Sequence, residues 1–251
     1  FRYDFVGSFL RPANLKAARE GFENGKISAY ELKAVEDKEI ERLINKQKEL
    51  GYHVITDGEF RRATWHLDFM WGFDGVAHEK TKTGLPFHGE DAMIDDTYLC
   101  GKVGLSKVHP FVEHFKFVKQ FEDENTVAKQ TIPAPAQFIE QMIMPFALEN
   151  TSKYYDSTHK LAEDIANGYK KVIADLYDAG CRNLQLDDCS WGMLVDPRAE
   201  ELFGTDKKGL KDIQELLVEI NNLAIEDKPN DMTITTPVSY THLTLPTICS
   251  V

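Results

Sequence analysis

Small and acidic residues stand at the carboxyl ends of the predicted strands, where residue type and spacing could support chemistry. Gly7 and Ser8 end the first strand, Glu59 follows the second in the run Asp-Gly-Glu, and Asp187 and Asp188 end the fifth. The carboxyl ends of parallel strands meet on one face, and barrel enzymes place their active sites there. A carboxylate directly after a buried apolar strand costs free energy unless it binds a partner. The convergence of Gly7, Ser8, Glu59 and Asp187 therefore favours a ligand-binding site.

Each of these features also has a purely structural interpretation. The Gly-Ser pair could be only a tight turn, and either aspartate could cap the following helix. Glu59 could instead form an ion pair, because such networks also bury acidic side chains. The arginines available to it are Arg11, Arg61 and Arg62.

Short β-rich runs alternate with long helical patterns, which is typical of a parallel α/β fold. The predicted strands are 3–8, 53–57, 99–105, 127–132, 183–187 and 232–236. One helix begins at a capping box, Ser28 to Glu31, and ends at Gly51. The fold class is therefore α/β, either a doubly wound sheet or an incomplete (β/α)₈ (TIM) barrel with about six of its eight strands. A G-x-G-x-x-G fingerprint after the first strand is absent, which disfavours the dinucleotide-binding form of the doubly wound sheet. The stretch 71–96 is polar and is predicted to be an insertion over one face.

Composition limits the class of protein further. The 251 residues are 42% hydrophobic, enough for one large core, and the net charge of −12 disfavours a nucleic-acid partner. No apolar run reaches the length of a membrane span, and no signal peptide is visible. The four cysteines form no CxxC pair and no evident disulfide framework, so we expect a cytoplasmic protein with no membrane partner.

Three short motifs resemble the catalytic barrel of cobalamin-independent methionine synthase in order and spacing. They are Val-Gly-Ser-Phe at 6–9, Asp-Gly-Glu at 57–59 and Leu-Gln-Leu-Asp-Asp at 184–188. The runs 5–12 and 55–60 more closely resemble short bacterial relatives that lack the amino-terminal half of that enzyme. The resemblance covers about residues 3–236. It implies a methyltransferase of methionine biosynthesis, similar to 5-methyltetrahydropteroyltriglutamate–homocysteine S-methyltransferase, which methylates the thiol of homocysteine.

The resemblance also implies roles for individual residues. The backbone around Gly7 and Ser8 would hold the homocysteine carboxylate, and Glu59 and Asp187 would hold its amino group. Zinc would bind the substrate thiol as a thiolate in the intact parent protein. Two departures leave the methyl donor open: the stretch 133–140 has no tryptophan for stacking on folate, and the family's folate-contacting acid falls near Met193.

The carboxyl-terminal stretch departs from the family. Where the family has its first two zinc ligands, His and Cys, this sequence has Pro237 and Ser239, neither of which normally binds zinc. Residues 238–247 resemble the translation of a transposase-type sequencing adapter. The sequence therefore predicts a partial barrel domain at 1–236 and a non-native tail at 237–251. In the chain as it stands we expect no catalytic residue, no tightly bound zinc, no activity, and a tendency to aggregate because edge strands would be open.

Two other functions fit some of the same residues. Glu59 and Asp187 could be the paired carboxylates of a barrel glycosidase. The barrel could also bind an amino acid or a thiol without catalysis. The parent protein's own sequence beyond Thr236 would distinguish the glycosidase from the methyltransferase, because a His-x-Cys pair there has no role in sugar hydrolysis.

Overall fold

In a computed structural model, helices and short strands alternate along the chain, as the sequence pattern predicts. The structure describes residues 6–81, 85–87, 90–92 and 95–236, so the predictions for residues 3–5 and for the tail 237–251 lie outside the described residues. The helices are α1 (Ala13–Glu23), α2 (Ala29–Glu49), α3 (Leu67–Met70), α4 (Pro110–Lys119), α5 (Pro135–Ile143), α6 (Pro145–Thr151), α7 (Thr158–Asp178), α8 (Ser190–Val195), α9 (Ala199–Phe203) and α10 (Lys207–Ile225). The strands are β1 (Val54–Ile55), β2 (Asp74–Glu79), β3 (Leu85–Phe87), β4 (Glu90–Ala92), β5 (Asp96–Gly104), β6 (Val127–Ala128), β7 (Gln130–Pro133), β8 (Asn183–Asp187) and β9 (Thr233–Thr235).

Five segments of the chain lie side by side in parallel, in the order in which they occur. Ser8 forms a parallel bridge to Gly58, and β1 pairs in parallel with β6. After one residue β6 continues into β7, which pairs with β8, and β8 pairs with β9. The connections between these neighbours contain helices, as is usual for parallel strands. The predicted α/β class is therefore confirmed.

One predicted strand lies elsewhere. The run 99–105 falls largely within β5, but β5 pairs antiparallel with β2, with His78 opposite Thr97. Its burial alternates along the strand, which is typical of a ribbon with one face on the core and not of a parallel strand covered on both faces. The described residues therefore contain five parallel segments rather than six, and the predicted insertion at 71–96 contributes strands to a separate antiparallel ribbon.

Helix boundaries follow local chemistry. Ser28 caps α2: its Oγ accepts from the backbone N–H of Glu31 at 3.2 Å, while the Glu31 carboxylate accepts from the Ser28 N–H at 2.8 Å. Among the helices, α7 packs against α5 and α10. Leu184 and Leu186 of β8 are buried in the same apolar cluster as residues of these helices. The intervening residues of β8 are polar, and the candidate site lies among them.

Candidate functional site

A strained turn after β1 positions Glu59. Gly58 and Glu59 both have left-handed backbone conformations, with φ of 68° and 60°. A Cβ at Gly58 would come within 2.3 Å of Leu43 Cδ2, which would have to move, and the positive φ itself favours glycine. The left-handed conformation of Glu59 costs on the order of 1–3 kcal/mol, and such strain concentrates at functional sites. It is held by the N–H of Glu59, which donates to Asp57 Oδ1 at 2.8 Å, and by Arg11, which donates to the carbonyl oxygen of Glu59 at 3.0 Å.

The Glu59 carboxylate is buried beside one arginine and one threonine. Its Oε1 lies 3.3 Å from a guanidinium nitrogen of Arg62 and accepts from Thr131 Oγ1 at 3.2 Å. Burial raises the pKa of Glu59 above its ordinary value, although the positive charge of Arg62 opposes that shift. The predicted structural alternative, an ion pair with arginine, is thus found with Arg62. Arg61 instead pairs with acidic residues of α2.

Asp187 ends β8 directly opposite Pro133 of β7. Its Oδ1 accepts from Gln185 Nε2 at 2.7 Å, and the side chain is almost fully buried. The pKa of Asp187 is raised to about 7: burial is the largest cause and the nearby charge of Glu59 adds to it, whereas the Gln185 hydrogen bond opposes both. Glu59 and Asp187 come from different parallel segments, yet they lie close enough for the charge of Glu59 to raise the pKa of Asp187.

The Gly7–Ser8 turn lies against the same end of the strands. The parallel bridge joins Ser8 to Gly58, and the carbonyl oxygen of Gly7 accepts from Thr56 Oγ1 at 2.8 Å. Gly7 has φ of 118°, and a Cβ there would lie 3.0 Å from Thr131 Cγ2, so this close approach also requires glycine. Ser8 itself is exposed.

A hydrogen bond connects this turn with the strand of Asp187. Gln185 Nε2 donates to the carbonyl oxygen of Val6 at 2.6 Å as well as to Asp187. The structure therefore brings Gly7, Ser8, Glu59 and Asp187 to one end of the parallel strands. Their role in binding a substrate stays a prediction.

Asp188 behaves differently from Asp187. Its carboxylate accepts from the backbone N–H of Ser190 at 3.2 Å, from Trp191 Nε1 at 3.0 Å and from Asn221 Nδ2 at 2.9 Å. These bonds join the first turn of α8 to α10. Of the two aspartates, Asp188 thus has the structural role at the following helix that the sequence left open.

Sequence reasoning missed the polar residues inside the strands. Lys129, Thr131 and Gln185 are all buried, and Arg62 was considered only as a partner for Glu59. The signal was present in the sequence: Lys129 and Thr131 are two residues apart, as are Gln185 and Asp187, so in extended backbone the members of each pair lie on one side of the sheet. That side carries the candidate site.

His109 and Cys181 are buried among apolar residues. The His109 ring is fully buried, 4.4 Å from the centre of the Phe69 ring. Cys181 is buried, which raises the pKa of its thiol to about 12 and leaves it unreactive.

Within residues 6–81, 85–87, 90–92 and 95–236, no group of three or more His, Cys, Asp or Glu side chains is arranged to hold a metal ion. The residues present therefore do not fit the zinc that the resemblance implies. Pro237 and Ser239 lie outside the described residues, and zinc in the parent protein stays a prediction. In the described part of the chain, no helix combines the length and the apolar character needed to cross a bilayer.

Comparison with known proteins agrees with the motif resemblance. Residues 3–83 match the family model described as cobalamin-independent synthase, catalytic domain. The chain is 37% identical to the protein YxjH of Bacillus subtilis, described as uncharacterized, with 94% of this chain and 60% of that protein aligned. It is 27% identical to a methionine synthase of Sulfurisphaera tokodaii over 73% of this chain and 50% of that protein.

Solved structures give the same result. A crystal structure from Listeria monocytogenes, provisionally described as a vitamin-B12 independent methionine synthase, superposes with a TM-score of 0.74 at 38% identity. The superposition covers 95% of this chain and 65% of that one. The chain spans about 60% of the length of the Bacillus relative. The chain is therefore similar in sequence and in fold to the cobalamin-independent methionine synthases.

Proposed function

We propose that this chain carries the homocysteine-binding part of a methyltransferase that methylates the homocysteine thiol to form methionine. The observation that carries the proposal is the placement of two buried carboxyl groups, Glu59 and Asp187, beside the Gly7–Ser8 turn. Two partly desolvated carboxylates suit an ammonium group, because charge-assisted hydrogen bonds strengthen when water is excluded. The relatives named as methionine synthases favour this function over a glycosidase or a non-catalytic barrel.

Each group of the proposed site has one task. Glu59 and Asp187 accept hydrogen bonds from the substrate ammonium, and the backbone of Gly7 and Ser8 holds the substrate carboxylate. The substrate is then held at both ends of its amino-acid moiety, and its thiol extends away from them. In the transfer itself, a bond forms between the substrate sulfur and the methyl carbon, the bond from that carbon to the donor breaks with its electron pair left on the donor, and the thiol proton ends on the demethylated donor. Zinc would lower the pKa of that thiol in the parent protein, but no step assigned to residues of this chain depends on it.

We also propose that the five parallel segments are successive strands of a (β/α)₈ barrel. Their order along the sheet equals their order along the chain, and helices lie in the connections between them. In the relatives, the remaining strands, the methyl-donor site and the zinc ligands would come from the part that this chain does not cover. The methyl donor stays open.

Titration calorimetry of the chain with two ligands tests the proposal. L-Homocysteine should bind, whereas 4-sulfanylbutanoate, which lacks only the ammonium group, should bind at least about tenfold more weakly because each lost charged hydrogen bond is worth roughly 1.5–3 kcal/mol. Equal affinities for the two ligands, or no binding of homocysteine by the folded chain, would sink the proposal.

A pair of variants localises the effect. Glu59→Gln should weaken homocysteine binding by about tenfold or more while leaving the weak binding of 4-sulfanylbutanoate unchanged. Glu39→Gln is the matched control, because Glu39 is an equally buried carboxylate on α2, where its Oε1 accepts from Asn14. Thermal melts establish that both variants are folded. If both variants bind homocysteine as the unmodified chain does, Glu59 has no role in binding.

A further inference from the structure

Lys129 is a buried lysine beneath the candidate site. It lies between β6 and β7, is 5% exposed, and its backbone N–H donates to the carbonyl oxygen of Ile55 at 2.9 Å. Its Nζ donates to Gln185 Oε1 at 2.9 Å. A buried ammonium is costly, so its presence at this position calls for a specific partner.

Gln185 has three polar neighbours that together define its orientation. Its Oε1 accepts from Lys129, and its Nε2 donates to the carbonyl oxygen of Val6 and to Asp187 Oδ1. The lysine can only donate, and the carbonyl and the carboxylate can only accept. Turning the amide over would place its NH₂ against the ammonium and its oxygen against two acceptors. All three neighbours therefore favour the orientation in which Gln185 presents an N–H to Asp187, and Lys129 contributes by holding the amide oxygen.

We propose that Lys129 and Gln185 are positioning residues that hold Asp187 as an ionised acceptor for the substrate ammonium. Lys129 acts through the orientation of Gln185 and through its own charge. This inference rests on the proposed homocysteine site, and it adds residues that neither the motifs nor the comparisons assign.

The charges around Asp187 determine the direction in which its pKa should change when the charge of Lys129 is removed. Burial and the negative charge of Glu59 raise the pKa of Asp187, whereas the Gln185 hydrogen bond and the positive charges of Arg62 and Lys129 lower it, leaving the value at about 7. Removal of the Lys129 charge eliminates one lowering influence and takes away the donor that Lys129 supplies to Gln185 Oε1, which weakens the hold on the amide. The pKa of Asp187 then rises, and less of the carboxylate is ionised at neutral pH.

The test combines a spectroscopic titration with binding measurements on Lys129→Met, which removes the charge and keeps the length of the side chain. Carbon-13 NMR of the aspartate carboxyl groups, with the Asp187 signal assigned by its loss in Asp187→Asn, should place the titration midpoint about one pH unit higher in Lys129→Met. Homocysteine affinity should fall about tenfold at pH 6.5 and by less at pH 8, where Asp187 ionises in both proteins. Lys211→Met on the exposed face of α10 is the control and should change neither quantity.

The outcomes are distinguishable. An unchanged midpoint for Asp187 in a folded Lys129→Met protein would overturn the positioning role, and so would an affinity loss that is equal at every pH. If the unmodified chain fails to bind homocysteine but the midpoint still shifts, the proposed function fails while the coupling of Lys129 to Asp187 stands. If Lys129→Met does not fold, Gln185→Met tests the same orientation and should also raise the midpoint.

Discussion

Asp187→Asn should stabilise the folded chain at alkaline pH, although it removes a residue of the proposed site. Asp187 is buried, and its pKa is about 7 in the folded protein against an ordinary value of 3.8. Because the folded value is the higher one, the folded state prefers the protonated side chain. The free energy of unfolding therefore falls as the pH rises between these two values and levels off above about pH 7. An asparagine avoids this loss, and its side-chain oxygen can still accept from Gln185.

The size of the effect follows from the shift. About 3 pKa units at about 1.4 kcal/mol each set an upper limit of roughly 4 kcal/mol for the penalty that ionised Asp187 imposes at pH 8. Relaxation of the site and entry of water reduce this, so we expect a gain of about 1–3 kcal/mol for Asp187→Asn at pH 8. At pH 4 the aspartic acid is already neutral in the fold, and the two proteins should differ little.

Urea unfolding followed by circular dichroism at both pH values measures the difference. Asp188→Asn is the matched control: this neighbouring aspartate accepts three hydrogen bonds from Ser190, Trp191 and Asn221, so its substitution should destabilise the protein at pH 8. A finding that Asp187→Asn is no more stable than the unmodified chain at pH 8, with unchanged slopes of the unfolding curves, would refute the claim that burial penalises this carboxylate.

Three further predictions follow from the same structure. Homocysteine affinity should decrease by up to about tenfold for each pH unit below 7 as Asp187 protonates, and calorimetry that gives a flat profile from pH 5.5 to 7.5 contradicts this. Gly58→Ala should lower the free energy of unfolding by more than about 1 kcal/mol, because the new methyl group meets Leu43. Part of this loss should be recovered when Leu43 is also replaced by alanine, and equal losses with and without Leu43→Ala would exclude the contact. Ser28→Ala should cost about 1 kcal/mol in thermal unfolding through loss of the α2 cap, whereas the exposed control Ser152→Ala should not.

Sequence reasoning predicted the parallel α/β class and the polar strand ends because both depend on short-range patterns. Alternation of helices and strands, the Ser28 capping box and the motif around Glu59 are all local in the chain. It grouped 99–105 with the parallel strands because an antiparallel and a parallel strand differ in what they pair with, and a pairing partner is not encoded in a short window of sequence. It also missed Lys129 and Gln185, whose significance depends on residues that are distant in sequence.

The residues alone thus determined that acidic and glycine-serine groups follow successive strands. The tertiary structure decided which of them meet and in what state of charge. Asp187 and Asp188 are adjacent and chemically identical, yet Asp188 is satisfied by three donors around α8, while Asp187 is buried near Glu59 with its pKa raised to about 7. That difference arises from burial and from charges contributed by other strands, which only the folded chain brings together.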